Sequence, residues 1–211
     1  MANIKTQAYQ PQLFLGILIL FHLIGLGLFL YPNGLQQLSG LNMLLCATLV
    51  FLAAKHKSIE GKLLGGIILG GFLIEAVGVN TGYLFGNYEY GKELGFKLFG
   101  VPVVLGLNWY CVIAASSHIV LKHFEQKSLV IQILIAASLT VILDYLIEPV
   151  AMAYDFWSWE GGVIPLYNYI CWFVFSLMFT GFYLWQQRQF NAIAYALYWV
   201  WAAFFLILNL I

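Results

Sequence analysis

The chain has 211 residues, 63% of them hydrophobic and 9% charged, with a formal net charge of zero. Soluble domains carry about 25% charged residues, so the composition excludes a water-soluble globular protein and calls for a bilayer as solvent. The sparse, balanced charge offers no basic surface for nucleic acid.

Seven runs are long enough to cross a membrane, which takes about 20 residues with a range of roughly 17–25. They are 13–31, 38–54, 63–79, 101–121, 129–147, 165–185 and 192–211. None alternates polar with apolar residues, as barrel strands must. The expectation is an all-α integral membrane protein: one domain over 1–211, a bundle of about seven transmembrane helices with two structured loops on its outer face.

The start, MANIKTQAYQPQ, has one lysine and no small-residue cleavage site after the first apolar run. It does not read as a secretory signal, so run 13–31 is expected to be the first span of a mature protein. His22 lies in it and can tie helices together. The third run reads LLGGIILGGFLIEAVGV. Gly66 and Gly70 make a GxxxG step that lets backbones approach, and Glu75 follows them. Segment 80–100 is aromatic, with Tyr83, Phe85, Tyr88, Tyr90, Phe96 and Phe99. Pro102 is expected to open the fourth helix, which carries Asn108 and Trp109. The fifth run ends on Asp144 and Glu148. Pro149 disfavours helical geometry at the residue before it, so this helix is expected to end near Ile147 with Glu148 at its lip. Segment 148–164 adds Tyr154, Phe156, Trp157, Trp159 and Glu160. Pro165 opens the sixth run, which holds Asn168 and Trp172. Cys46, Cys111 and Cys171 are scattered within spans and read as core.

Lys5, Lys55, Lys57, Lys62, Lys122, Lys127 and Arg188 fall on one side of this arrangement, and Lys92 and Lys97 on the other. The positive-inside rule gives a cytoplasmic N-terminus and an outer C-terminus, in a bacterial inner membrane. The aromatic segments then lie outside.

Acids in hydrocarbon are costly and by default mark a functional site. Glu75 and Asp144 come at matching depth, each about one turn from the outer end of its helix, and Asp144 and Glu148 share a face at i, i+4. Seven of the nine acids gather near this one face. Crowded carboxylates in low dielectric repel, so at least one is expected to keep a proton and serve as a general acid. The surrounding rings serve either as an interfacial belt or as the lining of a pocket whose negative faces stabilise a cation.

The four histidines form no cluster, which speaks against a di-iron or haem centre, and no lysine is placed mid-membrane to bind retinal. No phosphate-binding glycine loop is present. Asp144-x-x-x-Glu148 resembles an acidic diphosphate motif of prenyltransferases, but it faces the lysine-poor side, where a phosphate would lack partners.

The stretch Thr81-Gly82-Tyr83-Leu84-Phe85-Gly86-Asn87-Tyr88-Glu89-Tyr90, followed by Leu94-Gly95 and Gly100-Val101-Pro102, resembles the outer loop of membrane carotenoid-biosynthesis hydratases. These are the gamma-carotene 1',2'-hydratase and bisanhydrobacterioruberin hydratase group. Asp144-x-x-x-Glu148-Pro149-Val150, Phe156-Trp157-x-Trp159-Glu160 and Pro165-Leu166-x-Asn168-x-x-x-Trp172 are similar to that family's second signature. Glu148 stands where the family usually has Asp, and Cys171 where Gly often precedes the Trp.

The resemblance implies addition of water to the C1'–C2' double bond of an acyclic carotenoid end, with no cofactor and no metal. The substrate would lie within the bilayer, and association with other carotenoid-pathway enzymes would be natural. The expected catalytic residues are Asp144 as acid, with Glu148 or Glu75 handling water. Tyr83, Phe85, Tyr88, Tyr90, Asn108, Trp109, Trp157, Trp159, Glu160, Asn168 and Trp172 are the expected substrate-binding set. A membrane lycopene cyclase would start from the same cation and exclude water. A proton-coupled transporter or a lipid-binding membrane protein would use the acids as relays.

Overall fold

The computed structural model describes residues 6–31 and 35–211, with side chains from residue 11 onward. Residues 1–5, part of the amino-terminal segment discussed above, lie outside it. Each expected span is found as a helix among the described residues: α1 (Thr6–Leu30), α2 (Ser39–Ala53), α3 (Lys57–Thr81), α4 (Leu105–His123), α5 (Leu129–Ala153), α6 (Leu166–Gln186) and α7 (Ala192–Leu210). A short 3-10 turn, Leu35–Leu38, leads into α2.

Six of these helices are long and apolar enough to cross a membrane. They turn residues such as Leu23, Leu69, Leu73 and Met178 outward, as a protein with lipid for solvent must. The seventh, α4, is sheathed by α2, α3, α5, α6 and α7, and every residue from 108 to 121 is buried. With no lipid-facing stripe to supply, α4 can carry Asn108, Ser116, Ser117 and His118 inside the bundle.

Helix ends follow local chemistry. The Ser128 hydroxyl accepts from the Ile131 N–H at the start of α5, and the Asn191 side chain accepts from Ile193 and Ala194 at the start of α7, each satisfying orphan donors of a first turn. Gly82, at φ 67°, closes α3 in the left-handed conformation.

Three expectations are corrected. First, α5 runs through Pro149 to Ala153, so Glu148 stands on a continuous helix rather than at its lip. The clash of a proline with its predecessor is only a preference, and within a bilayer ending the backbone ladder early costs more. Second, Pro102 does not open α4. It lies in β3 (Val101–Pro102), which pairs with β2 (Lys97–Leu98) across a turn in which Phe99 and Gly100 both have positive φ, the geometry of a tight hairpin. Third, α3 starts at Lys57 rather than at residue 63. Its buried stripe is Glu60, Leu63, Ile67, Gly71, Glu75 and Gly78, in steps of three and four.

That longer helix carries an acid near each end of the bundle. Glu60 is fully buried. Its Oε1 accepts from the hydroxyls of Tyr110 (2.6 Å) and Tyr183 (2.8 Å), and its Oε2 from Gln187 Nε2 (2.9 Å). His118 Nε2 lies 3.1 Å from the Tyr183 hydroxyl.

The glycines of α3 divide their work. A Cβ on Gly71 would meet Trp109 Cγ at 2.5 Å, whereas Gly66 and Gly70 face the rings of Phe182 and Phe179 on α6. The closest approach is therefore to α4 through Gly71, not through the GxxxG pair. His22 does tie helices, with Nδ1 at 2.7 Å from the Leu18 carbonyl and Nε2 at 3.4 Å from Asn42 Nδ2 on α2.

The two loops at the far end of α3 and α5 are joined. β1 (Tyr88–Tyr90) pairs antiparallel with β4 (Trp157–Trp159), setting Tyr88 opposite Trp159, Glu89 opposite Ser158 and Tyr90 opposite Trp157.

Candidate active site

A strand alternates its side chains between two faces, and this ladder uses that rule twice. Glu89 and Ser158 point out to exposure, while Tyr90, Trp157 and Trp159 are buried and Tyr88 is nearly so. Four aromatic side chains from two loops therefore descend together onto the ends of α3 and α5.

They meet the acids there. Glu75 Oε2 accepts from the hydroxyls of Tyr88 (2.6 Å) and Tyr90 (2.8 Å), and its Oε1 from Trp109 Nε1 (2.9 Å). Glu148 Oε2 accepts from Trp157 Nε1 (2.9 Å) and Trp159 Nε1 (2.8 Å), and its Oε1 from Asn168 Nδ2 (2.9 Å). Each carboxyl thus receives three donors. Asp144, one helical turn before Glu148, accepts one longer hydrogen bond from the same Asn168 amide, at 3.3 Å. All three acids are buried.

The phenols of Tyr88 and Tyr90 are pushed well above the usual tyrosine range, first by burial and then by the charge of Glu75. They stay protonated and keep donating.

Glu75 and Glu148 face one small pocket of about 20 Å³, room for about one water molecule. Phe85, Tyr88, Tyr90, Leu105, Asn108, Trp157, Trp159, Asn168 and Trp172 complete its wall. Trp172 stacks on Trp109, with ring centroids 3.9 Å apart and planes 9° from parallel. Asn108 is buried and supplies a side-chain amide to the pocket wall.

Most of the residues expected from sequence come together here. Trp109 stands behind the wall, reaching Glu75. Asp144 also lies behind the wall, beyond Asn168 and Glu148. Tyr83 and Glu160 are not brought in. Tyr83 is exposed, with its carbonyl accepting from the Tyr167 hydroxyl. Glu160 is exposed and accepts from Asn87 Nδ2 at 2.6 Å, clasping the two loops beyond the ladder. The aromatic set splits likewise: Phe96 and Phe99 are exposed, whereas Phe85 is buried.

Sequence reasoning missed Leu105 and the role of Cys171, whose Sγ accepts from the Phe85 N–H at 3.3 Å. Phe85 has φ 66°, a conformation that costs a non-glycine residue about 1–3 kcal/mol and tends to collect at functional sites. Its TGYLFGN setting, dense in glycine, was the available signal.

A second, larger cavity of about 300 Å³ adjoins the first, and Asn108 and Trp157 belong to both walls.

Comparison with known proteins gives a consistent picture. The chain is 31% identical over 123 residues to the bisanhydrobacterioruberin hydratase of Haloarcula japonica, a match covering 53% of this chain and 40% of that protein. The aligned part is thus well under two thirds of that relative's length. No solved structure matches. A family model described as carotenoid biosynthesis protein matches residues 38–211, and the chain belongs to that family of multi-helix membrane proteins.

Proposed function

We propose that the protein is a carotenoid hydratase, adding water to the C1'–C2' double bond of an acyclic carotenoid end to give a tertiary 1'-hydroxyl. The observation that carries this reading is the pair of pocket carboxyls, each held by three donors, with a third carboxyl behind one of them. A trisubstituted alkene accepts a proton only from a strong acid in a dry site. Three N–H donors take up the negative charge left on Glu148 as it gives its proton away, which eases delivery from the pocket wall. Asp144 is poorly supplied with donors, and on the same helix it serves as the proton store that keeps Glu148 charged with one.

In this scheme Glu148 gives its proton to C2', the π bond breaks, and a tertiary cation forms at C1'. Glu75, which accepts from Tyr88, Tyr90 and Trp109, faces that cation together with the rings of Tyr88 and Trp159. A water held in the small pocket by Asn108 adds its oxygen to C1'. Its surplus proton returns to the Glu148–Asp144 pair, so the site is reset and the net reaction is alkene plus water to alcohol. Ground for the delivering role of Glu148, rather than Asp144, is that only Glu148 lines the pocket. In this reading, the excess of lysine and arginine at the other end of the bundle puts the site toward the outer side of the membrane by the positive-inside rule.

Expression in cells that accumulate lycopene or gamma-carotene tests the reading. Pigments heavier by the mass of one or two waters are expected. Pigment of unchanged mass but with a new ring would instead mark a cyclase, and untouched pigment in both strains would count against any hydratase.

A further inference from the structure

The small pocket has room for about one water, so it cannot also enclose a branched alkene end together with a conjugated chain. The cavity next to it can. It lies between α1, α2 and α7, has a volume of about 300 Å³, and is walled by rings of Phe29, Phe156, Trp201 and Phe204. Its lip includes Phe21, Ile24 and Leu41, all exposed on the lipid-facing outside of α1 and α2. Exposed apolar side chains of α1 and α2 therefore border the cavity on a flank that faces lipid.

We infer that this cavity binds the terminal segment of a linear polyene, taken in from the lipid between α1 and α2, with its end group brought against the Asn108–Trp157 wall. This rests on the hydratase reading only for the identity of the reacting end. The dimensions fit a terminal segment. From Phe21 to Phe29 the cavity follows α1 for about 12 Å at 1.5 Å per residue, and its volume is at the low end of the roughly 300–1,000 Å³ of ligand pockets. The remainder of a long polyene stays in lipid. Flat conjugated chains pack well against aromatic faces. Trp157 lines this cavity and gives its N–H to Glu148, so the polyene chain lies along the side chain that holds the acid, and its end group meets Glu148 at the wall the two cavities share.

Gly25 lies in the wall, and a Cβ there meets nothing closer than Phe204 Cε2 at 3.6 Å. Gly25→Phe therefore fills the cavity without colliding with backbone, and Leu28→Trp fills it from the next turn. Gly16→Phe is the control, since Gly16 is exposed on the same helix with open space around it. Each protein is purified from lycopene-producing cells in mild detergent, checked for a monodisperse elution profile, and its bound lycopene read by absorbance per mole of protein. Wild type and Gly16→Phe are expected to retain lycopene, and the two filled variants about tenfold less, as a bulky ring in a formed cavity must displace its occupant. Equal retention by all four, or none by wild type, overturns the assignment. Retention by wild type and loss in the filled variants, with no hydrated product, upholds the cavity and counts against the hydratase reading alone.

Discussion

Tyr90 and Trp157 stand opposite one another in the β1–β4 ladder, and their polar ends finish on different acids: the Tyr90 hydroxyl on Glu75 at 2.8 Å and the Trp157 indole on Glu148 at 2.9 Å. One backbone pairing thereby fixes the donors of two carboxyls that lie on separate helices. The ladder sets the distance across the pocket, and a change in either loop is felt by both acids.

Replacing the proton donor gives the sharpest loss. Glu148→Gln is expected to lower conversion by about 10²–10⁴-fold, the usual worth of a general acid, in protein that still elutes as wild type does. Asp144→Asn is expected to fall less, because it leaves the delivering group in the pocket. Pigment analysis against protein level checks both.

The indole donors are separable from the acid. Trp157→Phe and Trp159→Phe each remove one N–H from Glu148 while keeping an aromatic ring. Loss of a hydrogen bond to a charged group costs about 1.5–3 kcal/mol, so each is expected to reduce conversion by roughly ten- to a hundredfold. The same measurement on Tyr83→Phe, outside the pocket, is expected to show no change.

Gly71→Ala tests the α3–α4 contact that positions Trp109. The added methyl would lie 2.5 Å from Trp109 Cγ, and overpacking of this kind costs about 1–3 kcal/mol. A lower melting temperature in detergent and weaker conversion are expected together, since the displaced indole is a donor to Glu75. Gly65→Ala, with open space around its Cβ position, is expected to be silent in both.

Tyrosine ionisation sets an alkaline limit. Tyr88 and Tyr90 are raised by burial and by Glu75, so the folded state binds their protons more tightly than the unfolded state does. Their contribution to stability is whole below the unfolded tyrosine value of about 10 and is lost as pH climbs above it. Melting temperature is expected to be insensitive to these groups from pH 7 to about 10 and to fall beyond that. The Tyr88→Phe/Tyr90→Phe double variant is expected to lose that part of the alkaline decline.

Much of this arrangement was legible in the chain. Apolar runs gave the helices because a bilayer admits few alternatives for a buried backbone, and Glu75, Asp144 and Glu148 stood out because acids are rare in such runs. The ladder was not legible: two three-residue strands, about 70 positions apart, carry no periodicity to detect. Glu60 fell outside the expected span, which began at residue 63, and it stands between Lys57 and Lys62. The spacing Glu60–Leu63–Ile67 was the signal that the helix had already begun. Pro149 misled in the other direction, since a local preference yielded to the helix on either side of it. The large cavity follows from how α1, α2 and α7 splay, which no single run encodes.

The most direct test uses purified protein in detergent, lycopene, and water enriched in heavy oxygen, with no membrane gradient and no added cofactor. The account predicts a tertiary alcohol in which each new oxygen carries the heavy label, formed by wild type and lost in Glu148→Gln. A product whose oxygen does not come from water, or equal conversion by Glu148→Gln, would contradict it.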